Sequence, residues 1–341
     1  VVRLFARCAA GCIVFLVALT AAPAWASPGW IVFCEYSHSL KDDPIVYPGV
    51  AGQSHLHDFF GNVTTNASST DASMLGKTTT CQTAADTAGF WVPALFRDGK
   101  RILPEGAPPD GTQRDYHART QVYYQNNLTG LATSTIQPMP AGLRMVAGTS
   151  TATGPKENGL LGREIYWGCS DNKPDGKFTA PIDCATGIVS LHIGFPNCWD
   201  GQHLDSPDHQ GHMAYPASSP QGYVCPADHP VPIPRVIVRV EYPIGTDSSG
   251  ISLSSGKTFT VHGDFWNTWD QPALAQLTST CLDANLDCGV DPDPFTSPHT
   301  TLVRRLAIWG LVGLIIAGAA FIAGFRSSAP EERQVGYGNH P

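Results

Sequence analysis

The nine residues RVIVRVEYP, Arg235 to Pro243, place Val236, Val238, Val240 and Tyr242 at alternate positions, with Arg235, Arg239 and Glu241 between them. Successive side chains of a strand point to opposite faces, so this period of two predicts a strand with one core face and one wet face. IVSLHIGFP repeats the pattern, with Val189, Leu191 and Ile193 set against Ser190, His192 and Gly194. Shorter strand candidates are Trp30 to Cys34, TQVYYQN, GLRMVAG and KTFTVHGDFW, the last ending near His262. One helix is expected, in QPALAQLTSTC, with Pro272 early in its first turn. Long helical patterns are absent, and 34 Gly with 28 Pro punctuate the chain with turns. The expected fold is mainly β: a loop-rich, disulfide-braced, β-sandwich-like domain.

The disulfides are expected from compartment. At the N-terminus Arg3 and Arg7 precede an apolar run, Ile13 to Leu19, and Ala24-Trp25-Ala26 offers a small-x-small cleavage site. These are the parts of a secretory signal peptide over residues 1–26; an uncleaved anchor is the competing reading. Near the other end, Leu306 to Phe325 is uncharged between Arg304-Arg305 and Arg326, and a helix of that length rises about 30 Å, enough to span a bilayer. The expectation is an exported protein held in the cell membrane by a single pass. Its domain covers 27–295, a linker 296–305, the span 306–325 and a cytoplasmic tail 326–341. Between the apolar segments lie Cys34, Cys81, Cys169, Cys184, Cys198, Cys225, Cys281 and Cys288. An even count in an exported chain reads as disulfides, and no C-x-x-C pair favours zinc. Connectivity stays open, with Cys281 to Cys288 as the neighbouring pair to suggest.

Charge narrows the partners. The whole chain carries a formal net charge of −8. Arg3, Arg7, Arg304, Arg305, Arg326 and Arg333 lie outside the domain, so the domain itself is more acidic still. Such a surface does not bind nucleic acid through bulk charge. No nucleic-acid partner is expected.

Histidine and aspartate gather in three windows: His55, His57 and Asp58 in GQSHLHDFFGN; Asp200, His203, Asp205, Asp208, His209 and His212 in CWDGQHLDSPDHQGHMAYP; and His262, Asp264 and Asp270 in VHGDFWNTWDQ. Six of the twelve histidines fall there. Residues i and i+2 of a strand share a face, so His55 can converge with His57 and His262 with Asp264; His209 and His212 would converge in a helical turn. Several imidazoles beside carboxylates suit a divalent metal ion, with His55, His57, His209, His212 and His262 as candidate ligands. His55, His57, Asp58, Asp208, His209 and Asp264 are the candidate catalytic residues, because imidazole and carboxyl groups move protons near neutral pH. Trp199, Asp200, Trp266 and Trp269 are candidate substrate contacts, since aromatic faces beside carboxylates suit sugar rings. No H-E-x-x-H or G-x-S-x-G is present, and Ser54 beside His55 makes no triad. Metal-free acid/base catalysis is one alternative; polar side chains satisfying irregular backbone are the other.

The segments DDPIVYPGVAGQSHLHDFFGN, GFWVPAL, GLRMVAG, FPNCWDG, LDSPDHQGHMAYP, HPVPIPRV and HGDFWNTWDQ resemble a bacterial and fungal family of secreted proteins, the domain-of-unknown-function family numbered nineteen ninety-six. The resemblance runs from about Trp30 to Gly289. It brings no activity and no catalytic residues; by association with carbohydrate-binding modules it implies a cell-wall or glycan setting. The function expected is action on extracellular glycan through a His/Asp pocket, as a hydrolase or lyase. A non-catalytic glycan- or metal-binding envelope protein is the alternative.

Overall fold

The computed structural model describes residues 28–106, 120–129, 136–158, 164–220 and 222–294. The expected signal peptide and the expected span Leu306 to Phe325 lie outside the described residues. Among the described residues no helix is long and apolar enough to cross a membrane.

Alternating apolar residues give two main sheets, as their period demands. The larger has six strands in the order Asp287–Val290, Gly29–Phe33, Gln121–Gln125, Arg235–Pro243, Ile188–Gly194, Ile165–Cys169. Its pairs are antiparallel except the first, which is parallel. The smaller has five antiparallel strands in the order Tyr36–Leu40, His57–Gly61, Gly89–Pro93, His262–Trp266, Arg144–Gly148. Val122, Tyr124, Val236, Val238 and Val240 from the first share one apolar core with Phe60, Phe90, Met145 and Phe265 from the second. Gly263 lets the sheets close: a Cβ there would sit 2.9 Å from Ile193.

The wet face expected for Arg235–Pro243 is not wet at its centre. Arg239 and Glu241 are buried and paired at 2.7 Å, and Arg239 also donates to Ser170 O and Gln121. The neighbouring strands supply Tyr123 and a His192 ring stacked on Tyr166, so bulky side chains cover the charges.

The outer face of the five-stranded sheet is also covered. Ile45, Phe59, Met74, Trp91 and Trp266 form a second apolar cluster there. Met74 belongs to a one-turn helix, Asp71–Met74, whose N-cap Thr70 accepts from Ser73 N. That turn escaped the sequence reading because it is too short for a period. The expected helix is Gln271–Leu277, capped by Asp270, which accepts from Ala273 N at 2.9 Å.

All eight cysteines among the described residues pair: Cys34–Cys81, Cys169–Cys184, Cys198–Cys225 and Cys281–Cys288. The last is the neighbouring pair suggested by the sequence.

Candidate functional site

His57 opens its strand opposite Pro93, and His262 opens its own opposite Gly148. The strand Gly89–Pro93 lies between them, so their backbones stand about 9–10 Å apart. Both rings lean over Pro93's end of that middle strand and meet. His55, two residues ahead of His57 on the approaching loop, completes the group. His262 Nε2 lies 3.1 Å from His55 Nε2 and 3.2 Å from His57 Nε2.

The opposite edges of two rings are fixed. His57 Nδ1 is 2.9 Å from Asp42 O and His262 Nδ1 is 3.0 Å from Thr260 O. A carbonyl oxygen only accepts, so both Nδ1 atoms carry the proton. The neutral rings therefore present bare Nε2 lone pairs to each other. Burial keeps them neutral: it pushes His55 down to about 4 and His262 to about 3, and holds His57 well below the usual imidazole range. Facing lone pairs repel unless a cation stands between them. With metal–nitrogen bonds of about 2.0–2.1 Å, these spacings subtend roughly 100° at an ion, close to a tetrahedral angle.

Beside the imidazoles lie two buried carboxyls. Asp264, on the same strand as His262, has no hydrogen-bond partner among the described residues for either side-chain oxygen. Burial raises its pKa well above the carboxylate range, and nearby Asp43 raises it further. Ligand atoms of Asp43, His57 and Asp264 all lie within 4.8 Å of one another, as do those of His55, His57 and His262. Asp43 also pins its own loop, Oδ1 accepting from Ile45 N and Val46 N at 3.1 and 3.0 Å. A cleft of about 400 Å³ opens above this floor, lined by His55, His262, Asp43 and Asp264 together with Tyr47, Ser54, Asp208 and His209.

All three sequence windows therefore reach one cleft, though not with every residue expected. His209 lines it with Nδ1 held 2.9 Å from Asp205 Oδ1, and its φ of +58° places a non-glycine residue in the left-handed region. Asp208 lines the rim, kept ionised at about 2 by Ser206 and the Gly211 and Gln210 amides. His212 is not a ligand: its Nδ1 meets Ser206 Oγ at 2.9 Å and its Nε2 meets Arg144 O at 2.7 Å, so neither nitrogen is free. Asp58 points away from the cleft, because adjacent strand residues face opposite sides. It pairs with Arg101 and accepts from Ser39 Oγ, although burial still raises its pKa. Asp200 accepts from Gln202 N and His203 N in its own turn, and Trp199 donates to His203 O beside it. Trp269 is packed in the core against Trp30 and Tyr124. Trp266 is buried with its N–H on Asp71 and Arg144 over its ring. Neither tryptophan offers a face to the cleft, since both rings are spent on packing.

Asp43 and Tyr47 line this site without standing in any of the three windows, and Ser54 lines it although it makes no triad with His55. Asp43 and Tyr47 sit in DDPIVYPGV, an irregular loop with no period to read. Asp205 lies in the second window, four residues before His209, whose Nδ1 it holds.

A family model described as "Domain of unknown function (DUF1996)" matches residues 43–269. No curated protein and no solved structure matches the chain.

Proposed function

Because the chain belongs to the DUF1996 family, whose description carries no activity, we propose its function from the cleft itself: metal-assisted cleavage of extracellular glycan, by hydrolysis or elimination. His55, His57 and His262 hold the ion. An all-imidazole set suits zinc, copper, iron or nickel, whereas magnesium and calcium prefer oxygen ligands. When bound, such an ion supplies Lewis acidity and lowers the pKa of water.

The residues around it divide the remaining work. The main-chain carbonyls of Asp42 and Thr260 lock the ligand tautomers. Asp264 and Asp43 stand where a proton is taken up or returned, within reach of the ligand His57. His209, steadied by Asp205, offers an imidazole on the cleft wall. The export expected from the sequence places this chemistry outside the cytoplasm, and the four disulfides fit that setting.

The observation carrying the reading is the 3.2 Å approach of two Nε2 atoms whose Nδ1 partners both face carbonyl oxygens. Elemental analysis of the gently purified full chain tests the metal. One bound d-block ion, lost in His57→Ala and His262→Ala, is expected; only trace metal would sink it. Screening cell-wall polysaccharides for new reducing ends or unsaturated products, with and without chelator, tests the reaction.

A further inference from the structure

The cleft's chemistry also names the kind of sugar it takes. Its upper wall is the loop after Asp43, and that loop exposes apolar side chains while being held rigidly. Val46, Tyr47 and Val50 are 38, 39 and 50 % exposed. Beneath them Ile45 is buried against Phe59, Met74, Trp91 and Trp266. Tyr47 N donates to Asp43 O at 2.8 Å, Val50 N to Tyr47 O at 3.1 Å, and Gly49 N to Ala67 O at 2.6 Å. Asp42 clamps the far end, its two carboxylate oxygens accepting from Gly52 N and Ala67 N. A mobile loop would fold such side chains away from water; this one presents them in fixed positions.

Polar groups complete the wall. Ser54 is buried, and its hydroxyl has no hydrogen-bond partner among the described residues; the same is true of both carboxyl oxygens of Asp264. Both side chains line the cleft. Buried polar atoms without partners cost stability, so they mark places where a ligand supplies the partner. Gln53, Thr149, Ser150 and Gln210 add amide and hydroxyl groups along the sides. Charge then selects among sugars. The described lining holds Asp43, Asp208 and Asp264 but neither lysine nor arginine. A carboxylated or sulfated chain would meet the ionised Asp208 at the rim and find no lysine or arginine in the described lining to pair its successive charges.

We infer that the cleft binds an uncharged pyranose ring of a neutral polysaccharide, its C–H face on Tyr47 and its hydroxyls toward Ser54 and Asp264. The inference rests on the glycan reading above and deepens it. An aromatic ring offers apolar area at little entropic cost, and a sugar hydroxyl supplies both donor and acceptor. Tyr47 is thus a specificity residue, distinct from the metal ligands.

Isothermal titration of the full chain in detergent micelles tests it, with hexasaccharides of glucose, xylose, mannose and N-acetylglucosamine against a galacturonate hexamer. The expected result is binding of at least one neutral hexamer and none of the galacturonate. Tyr47→Ala should weaken that binding by about tenfold or more, and Tyr47→Trp should retain it, with melting and metal content unchanged in both. Failure of every neutral hexamer to bind, preference for the uronate, or undiminished binding in Tyr47→Ala would overturn the inference. Metal content of the same samples separates the two readings. Full metal without sugar binding overturns the neutral-sugar inference alone; sugar binding without metal overturns the metal reading alone.

Discussion

His57 and His262 bring their Nε2 atoms within 3.2 Å while each turns its Nδ1 to a main-chain carbonyl. Neither ring can donate to the other in its neutral form, so the fold holds two acceptors in contact. The facing lone pairs repel, and an ion between them would turn that repulsion into bonding.

Metal should therefore stabilise the fold. An ion at a hundred times its dissociation constant adds about 2.7 kcal/mol. Chelation of the full chain should lower its melting temperature, and zinc or copper should restore it while calcium and magnesium do not. In His57→Ala the chelator should have no effect on melting.

Asp264 should cost stability in the ion-free protein. Its carboxyl is 1 % exposed, with no hydrogen-bond partner among the described residues. Asp264→Leu should raise unfolding free energy by about 1–3 kcal/mol and abolish turnover. Urea titration of chelated samples reads the first effect, and product assay the second. A destabilised Asp264→Leu would mean that the carboxyl is a structural partner instead.

Asp58 should behave in the opposite way. It is buried against Arg101 on the side of the strand away from the cleft. Arg101→Ala strips the buried carboxyl of its cation and should cost about 3–5 kcal/mol. Metal content should be unchanged. Denaturant midpoints with elemental analysis check both halves.

Asp86 should contribute a fall in stability as pH rises from about 4 toward 8, opposed below about 6.5 by the buried histidines, whose lowered pKa values act the other way. Burial pushes this carboxyl up to about 8, even though it accepts from Tyr124 OH at 2.7 Å and from Ala88 N. Its folded pKa lies above the unfolded value near 4, so the folded state holds the proton more tightly. The stabilisation is complete below pH 4 and lost as pH climbs through 8. Asp86→Asn should flatten that stretch of the profile, measured as denaturant midpoints at several pH values.

Much of this is legible in the chain because the strand period of two is physical. Alternation at Val236 to Tyr242 gave a strand, and the i, i+2 spacing of His262 and Asp264 put both on one face. The same rule also sets Asp58 opposite His57, so Asp58's exclusion from the cleft was readable in principle. His212 misled because its spacing from His209 suits a helical turn, whereas an irregular loop occupies both its nitrogens. Trp266 misled differently. It shares the face of His262 and Asp264, but the short helix Asp71–Met74 covers it, and that cover comes from a distant segment. Asp43 and Tyr47 were silent because loop geometry, set by backbone hydrogen bonds, leaves no pattern in sequence.

The proposed ligands His57 and His262 are 205 residues apart and belong to strands separated by a third. A peptide covering Gly52 to Asn62 holds two of the three imidazoles and no means of bringing the third. Capture of an ion by all three rings would therefore be a readout of completed assembly: no partly built sheet could pass for the finished one. An unfolded chain, lacking the third ring at the site, would hold no ion there. An ion held by these rings would come from whatever pool surrounds the place where the last strand docks, and its identity would record that place.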